Sequence, residues 1–282
     1  MPQFFRLNKL GWIGGLWLLA CCALAQAAAP LKLVVPPFLY NDRPETVYFF
    51  KLLTLALEKT EPTDGPFVID TYPAPISPER AIEEIKKGGA INLMWNGTSP
   101  SRERDLLPVR FSLIRELNNY RLFLIRKEDQ AKFDKVNTLD DLRHLTAGSG
   151  IQWPDTAILR RNGLPVTTTL HYEALFPMLA LKRFDYFPRG IYEVFGEADV
   201  HEKEGLVIEK TIMIHYDLPF YFFVKKDNKA LASRLERGLN KALADGSFDQ
   251  LMLGVPRFKR GLDEQRNAKR KLFMLRSRFQ SP

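Results

Sequence analysis

Cysteine is confined to one place: Cys21 and Cys22 are the only two in 282 residues. Both fall in a stretch with a basic start (Arg6, Lys9), an apolar run from Leu10 to Leu24 and the small-residue segment Ala25-Gln26-Ala27-Ala28-Ala29. That is the three-part layout of a secretory signal peptide, here residues 1–27, and Pro30 disfavours a cut after Ala29, so cleavage is expected after Ala27. A mature chain without cysteine excludes disulfides, thiol nucleophiles and cysteine–metal sites. A second reading takes Leu18-Leu19-Ala20-Cys21 as an imperfect lipoprotein signal. The apolar run is broken by Gly11, Gly14 and Gly15 and is shorter than the roughly 18 residues of a spanning helix, so cleavage is expected rather than anchoring.

Histidine is also scarce. His144, His171, His201 and His215 are scattered without metal-ligand spacing, and the chain has no Gly-rich phosphate loop and no Gly-x-Ser-x-Gly elbow. Neither a metal nor another cofactor is expected. The net charge of +8 looks like a nucleic-acid signal, but the tail from Arg257 to Pro282 carries +7 and the leader +2, which leaves the body near −1. A general polyanion-binding surface, and with it a nucleic-acid partner, is therefore not expected. The tail reads as a solvated amphipathic extension, with a membrane-surface or partner role as the alternative.

What the sequence does contain is alternation. Leu31 to Val35 is a short apolar strand; a helix follows from about Pro44, with Val47, Phe50, Leu53 and Leu57 on one face. The next helix has Ser77 as N-cap, Pro78 in its first turn, Ala81, Ile82 and Ile85 inward and Gly88 at its stop. Ala90 to Trp95 and Tyr120 to Arg126 read as strands, and Thr138-Leu139-Asp140-Asp141 has capping-box spacing. After further strand–helix repeats, Leu231, Leu235, Leu239, Ala242 and Leu243 mark one face of a long helix that ends at Gly246. Short connections between alternating elements point to a parallel α/β sheet.

Three segments together resemble the periplasmic solute-binding proteins of the amino-acid-binding type, family 3. "RAIEEIKKGGAINLMWNGTSPSRERDLLPVRFS" (Arg80 to Ser112) is similar to that family's helix, strand, ligand loop and Ser/Thr-x-x-Arg turn, here Ser99-Pro100-Ser101-Arg102. "TLDDLRHLTAGSG" resembles the start of its second lobe and "DNKALASRLERGLNKALADGSFDQLM" its closing helix. The resemblance implies two Rossmann-like α/β lobes joined by a two-strand hinge, the type II periplasmic-binding fold. Lobe 1 would hold residues 28–117 and 218–256, lobe 2 residues 118–217, and the basic tail 257–282. It also implies ligand in the cleft between the lobes, where open α/β sheets present their loops.

The family's carboxylate-clamping arginine falls on Arg102, and its first-lobe ligand loop reads here Trp95-Asn96-Gly97-Thr98. An Arg fork matches a carboxylate bidentately; the competing reading is a solvated arginine among Glu103, Arg104 and Asp105. Arg189 follows a strand and a proline, aimed into the cleft, and is either a ligand contact or the structural partner of Glu193 one helical turn on. Gln152, Trp153 and Asp155 stand at a helix start, where free backbone N–H groups favour an anion. Trp95 and Tyr40 follow strands and are read as an apolar wall or as core.

The function expected is a periplasmic receptor, not an enzyme, that closes as a monomer on a small anionic solute for transport or sensing, with an ABC permease or a membrane sensor as partner. One alternative is a lyase resembling cyclohexadienyl dehydratases on the same scaffold, with Glu193 or Asp155 as its acid or base. The other is an envelope interaction module that uses the tail.

Overall fold

The computed structural model describes residues 29–37, 44–267 and 269–277. The segment read as a leader, with its cysteines and expected cleavage point, and Tyr40 lie outside the described residues.

The chain opens with β1 (Leu31–Val35), α1 (Pro44–Glu58), α2 (Glu61–Asp64), β2 (Phe67–Thr71), α3 (Pro78–Lys87), β3 (Leu93–Gly97), α4 (Pro100–Asp105) and β4 (Leu106–Pro108). A second run holds β5 (Tyr120–Arg126), α5 (Gln130–Phe133), α6 (Leu139–Leu142), β6 (Ala147–Gly150), α7 (Pro154–Arg161), β7 (Val166–Thr169), α8 (Leu175–Ala180), β8 (Phe187–Gly190), α9 (Val194–Val200), β9 (Leu206–Ile208) and β10 (Ile212–His215). The chain closes with β11 (Phe220–Lys225), α10 (Lys229–Ala244), α11 (Ser247–Leu253), α12 (Pro256–Asn267) and β12 (Lys271–Met274).

The local chemistry accounts for the element ends. The Ser77 hydroxyl accepts from the Arg80 N–H, and Gly88 closes α3 in the left-handed region. Thr138 and Asp141 form a reciprocal capping box on α6. In α1 the expected inward face holds in part: Leu53 and Leu57 are buried as expected, with Tyr48, Phe49, Leu52 and Ala56 beside them, while Val47 is 39% exposed. Leu243 of α10 is likewise 40% exposed, because the face that meets α1 is set by Leu231, Leu235, Leu239 and the close approach at Gly238.

The sheets are mixed, not purely parallel. β1 pairs parallel with β2, and β11 runs antiparallel to both β3 and β4. The reason is topological: β11 re-enters the first group of strands from the far side, after the whole second run, so it points against β3. In the second lobe β5 is central and antiparallel to β8, β9 and β10, while β6 and β7 pair in parallel. Six consecutive residues of β5, Arg121 to Arg126, are buried. The two lobes are tied where Asn118 donates through Nδ2 to the Leu218 carbonyl (2.5 Å) and the Leu218 N–H donates to Asn119 Oδ1 (2.9 Å).

The tail is not a solvated extension in its described part. α12 packs on the body and β12 adds a parallel strand to β10, because Phe258 and Leu275 are apolar enough to bury at 0% and 2% exposure.

Candidate functional site

The carboxyl ends of β3, β6 and β8 deliver their following residues to one cleft. A cavity of about 160 Å³ between the lobes is lined by Asn96 and Gly97 from β3, Asn118 and Arg121 at the crossing, and Trp153, Asp155, Arg189, Tyr192 and Glu193 from the second lobe. A wider cavity of about 500 Å³ forms its mouth, sharing Trp153 and reaching Ser101 and Arg104 on one side and Arg160 and Arg161 on the other. The smaller cavity holds the concentrated charge.

Two buried ion clusters form its floor. Arg121 donates through Nε to Asp155 Oδ1 (2.9 Å), which also accepts from the Tyr216 hydroxyl (2.5 Å). Burial raises the Asp155 pKa, but the Arg121 guanidinium and the Tyr216 hydrogen bond outweigh it and hold the carboxyl below its usual range. Arg189 donates through Nε and Nη2 to the two oxygens of Glu197 (2.7 and 2.8 Å) and lies 2.9 Å from Glu193 Oε1. Its guanidinium stands 4.8–5.3 Å from the ring centres of Phe187, Trp153 and Tyr172. Burial works against the Arg189 charge, and Glu193 and Glu197 more than restore it. Glu193 is pushed up to about 7 by burial, despite Arg189, with Glu197 adding to the rise.

Of the residues singled out from sequence, Trp153, Asp155, Arg189 and Glu193 line this cavity. Gln152 stands at the mouth, where its amide, nitrogen outward, donates to Glu79 of α3 across the cleft. Trp95 packs on Phe49 and edge-on to Phe222, towards the first-lobe core. Thr98 is buried and donates to Glu103 Oε1 (2.6 Å). Arg102 is 9% exposed and is not solvated: it donates through Nη1 to the Gly97 carbonyl, stacks on Phe223, and has its Nε buried without a partner. Burial lowers its pKa to about 10. No carboxylate among the described residues lies within ion-pair distance of Arg102.

Two cavity residues, Arg121 and Asn118, and Glu197 behind Arg189 escaped the sequence reading. Arg121 sits near the start of the apolar strand β5, whose two buried cations are Arg121 and Arg126, and a cation in a buried strand is itself a signal. Glu197 follows Glu193 by one helical turn on the same face. Asn118 carries no local signal, since its role comes from the crossing. The expectation of an anionic solute is corrected here: Arg189 takes its alternative reading as a structural partner, neutralised by Glu193 and Glu197. The cavity's two guanidiniums, Arg121 and Arg189, face three carboxylates, Asp155, Glu193 and Glu197. Among the described residues no group of three His, Cys, Asp or Glu side chains is placed to hold a metal ion.

A two-lobed α/β architecture defines a class, and solved structures share its fold. No family model and no curated protein matches the sequence. An ancestral arginine-binding protein is similar when bound to arginine (TM-score 0.58, 16% identity, 79% of this chain and 97% of that one) and when bound to glutamine (0.59, 14%, 79% and 97%). A periplasmic binding protein of Salmonella typhimurium, described for its high arginine specificity, matches with TM-score 0.58 and 12% identity over 80% of this chain and 99% of that one. The VFT2 domain of Bordetella pertussis BvgS matches with TM-score 0.59 and 18% identity over 81% and 92%. The chain therefore has the fold of the amino-acid-binding periplasmic proteins.

Proposed function

We propose that the protein is an exported solute receptor whose lobes close on a small neutral or basic amino acid. The observation that carries this reading is the charge pattern of the cleft. Glu193 lines the cavity on the second lobe with its pKa pushed up to about 7 by burial, so an incoming ammonium would meet a carboxylate that it can ionise and pair with. On the first lobe the buried Arg102, bound to the Gly97 carbonyl behind the cavity wall and with Nε unpaired, is the cation that would take the solute's own carboxylate once the lobes close. A zwitterion satisfies both at once, and a purely anionic solute satisfies only one. The neighbours bound to arginine and glutamine support the same class.

Trp153, already flat against Phe187 at 6.1 Å, would form the apolar wall beside the solute's side chain. The leader supports a periplasmic address, and among the described residues no helix is long and apolar enough to cross a membrane. A permease or a membrane sensor is the partner such a receptor serves. A calorimetric and thermal-shift screen of the amino acids tests the proposal. The expected result is saturable one-to-one binding of one or more neutral or basic members without turnover. Absence of any hit at millimolar concentration, or steady consumption of a hydroxylated cyclic acid, overturns it.

A further inference from the structure

We propose that the C-terminal segment, α12 with β12, is an interlobe brace that holds the cleft in its narrow arrangement and acts on it through Phe258 and Tyr192. The segment is rooted in the first lobe. α10 and α11 lie on α1, and α12 leaves directly from the end of α11. Phe258, fully buried, then meets a ring from each lobe edge-on: Tyr48 of α1 at 4.8 Å and Tyr192, just past β8, at 5.9 Å. One turn later Gly261 comes so near the second lobe that a Cβ there would lie 3.0 Å from the Ile191 carbonyl oxygen and 3.3 Å from Leu117 at the crossing. Arg260 covers the Phe195 ring of α9 at 4.0 Å.

The far end is anchored in the second lobe. β12 pairs with β10 from Lys271 to Met274, with the Lys271 N–H donating to the Thr211 carbonyl (2.7 Å) and the Leu275 N–H to that of His215 (2.8 Å). Lys271 Nζ also donates to the Val136 carbonyl (2.7 Å), and Arg270 pairs with Glu264 (2.7 Å). A hinge with two crossings rotates by changing a few backbone dihedrals. A third connection, packed on both sides and ended by a strand ladder, must either peel from β10 or lift Phe258 from Tyr192 before the lobes separate. Tyr192 also lines the charged cavity, so the brace and the cleft share one side chain.

The test is made on the full chain, with Cys21 and Cys22 replaced by serine and spin labels at Arg80→Cys on α3 and Ala157→Cys on α7, both exposed. Interlobe distances are measured by double electron–electron resonance without added solute, in the parent, in Phe258→Ala and in Lys271→Pro, which deletes a ladder donor at the edge of the sheet. The expected result is a shift to longer and broader distances in both variants, with the far-ultraviolet dichroism of the parent. Distributions superimposable on the parent's in folded variants overturn the brace. Where Phe258→Ala fails to fold, the distances in Lys271→Pro alone uphold or overturn it. No solute enters the measurement, so its outcome is separate from whether the cleft binds amino acids.

Discussion

Glu193 fills the space that a side chain at position 190 would need: a Cβ on Gly190 would lie 3.2 Å from its carboxylate and 2.5 Å from the Tyr192 ring. Its carboxylate accepts from the Gly190 N–H (3.1 Å) and faces both Arg189 and Glu197. With a folded pKa raised to about 7, its contribution to stability is fully present below the ordinary carboxylate range and is lost as pH rises through about 7. Glu193→Gln is expected to flatten that decline, measured by urea unfolding across the window. Binding of an ammonium-bearing solute follows the opposite sense. It weakens as pH falls below about 7 in the parent and loses this dependence in Glu193→Gln, which calorimetry at several pH values checks. Arg189 behaves differently from a free ligand contact. Because Glu193 and Glu197 are both held against it, Arg189→Ala leaves the buried Glu197 and the half-buried Glu193 face to face and is expected to cost roughly 3 kcal/mol of folding stability. An unfolding midpoint equal to the parent's refutes that.

At the scale of elements, α10 and α1 touch backbone to backbone. A Cβ on Gly238 would fall 1.9 Å from the Ala56 carbonyl oxygen, so Gly238→Ala must push the helices apart although alanine is the better helix former. The expected outcome is a net loss of about 1–3 kcal/mol, read from urea denaturation; a gain in stability means the helices separate without cost. The α3 boundaries were legible because Ser77, Pro78 and Gly88 act within one turn of the chain. The inward face of α1 was legible only in part, at Leu53 and Leu57. Its apolar residues run nearly all round, so periodicity does not choose between Val47 and Tyr48. Packing chooses Tyr48, whose hydroxyl donates to the Leu113 carbonyl (2.6 Å) and whose ring meets Phe258.

At the scale of the whole molecule, a solute that bridges both lobes binds only the closed native state and raises unfolding free energy by mass action, about 2.7 kcal/mol at a hundredfold excess over its Kd. A matching rise in Tm with the amino acid identified by screening is expected, and its absence at saturating concentration means that the amino acid does not bind the native state. The basic tail belongs to this scale as well. Its charge made it look like an independent surface, yet Arg260 covers Phe195, and Arg270 pairs with Glu264 and lies 3.7 Å from Glu209.

By itself the sequence determined the α/β class, the strands and helices with strong periodicity such as β1, α3, β5 and α10, and caps such as Ser77 and Thr138, since each rests on hydrophobic periodicity or turn chemistry within a few residues. It also marked Asp155, Arg189 and Glu193 as charges at element ends. Only the tertiary structure decided what those charges do. Asp155 meets Arg121 from 34 positions earlier in the chain, and Tyr216 from 61 later. The descent of the tail onto β10 is equally non-local, because a parallel edge strand is recruited by an open sheet edge that exists only after the second lobe has folded. Such partners are chosen by which surfaces folding brings together, and a one-dimensional pattern carries no record of that choice.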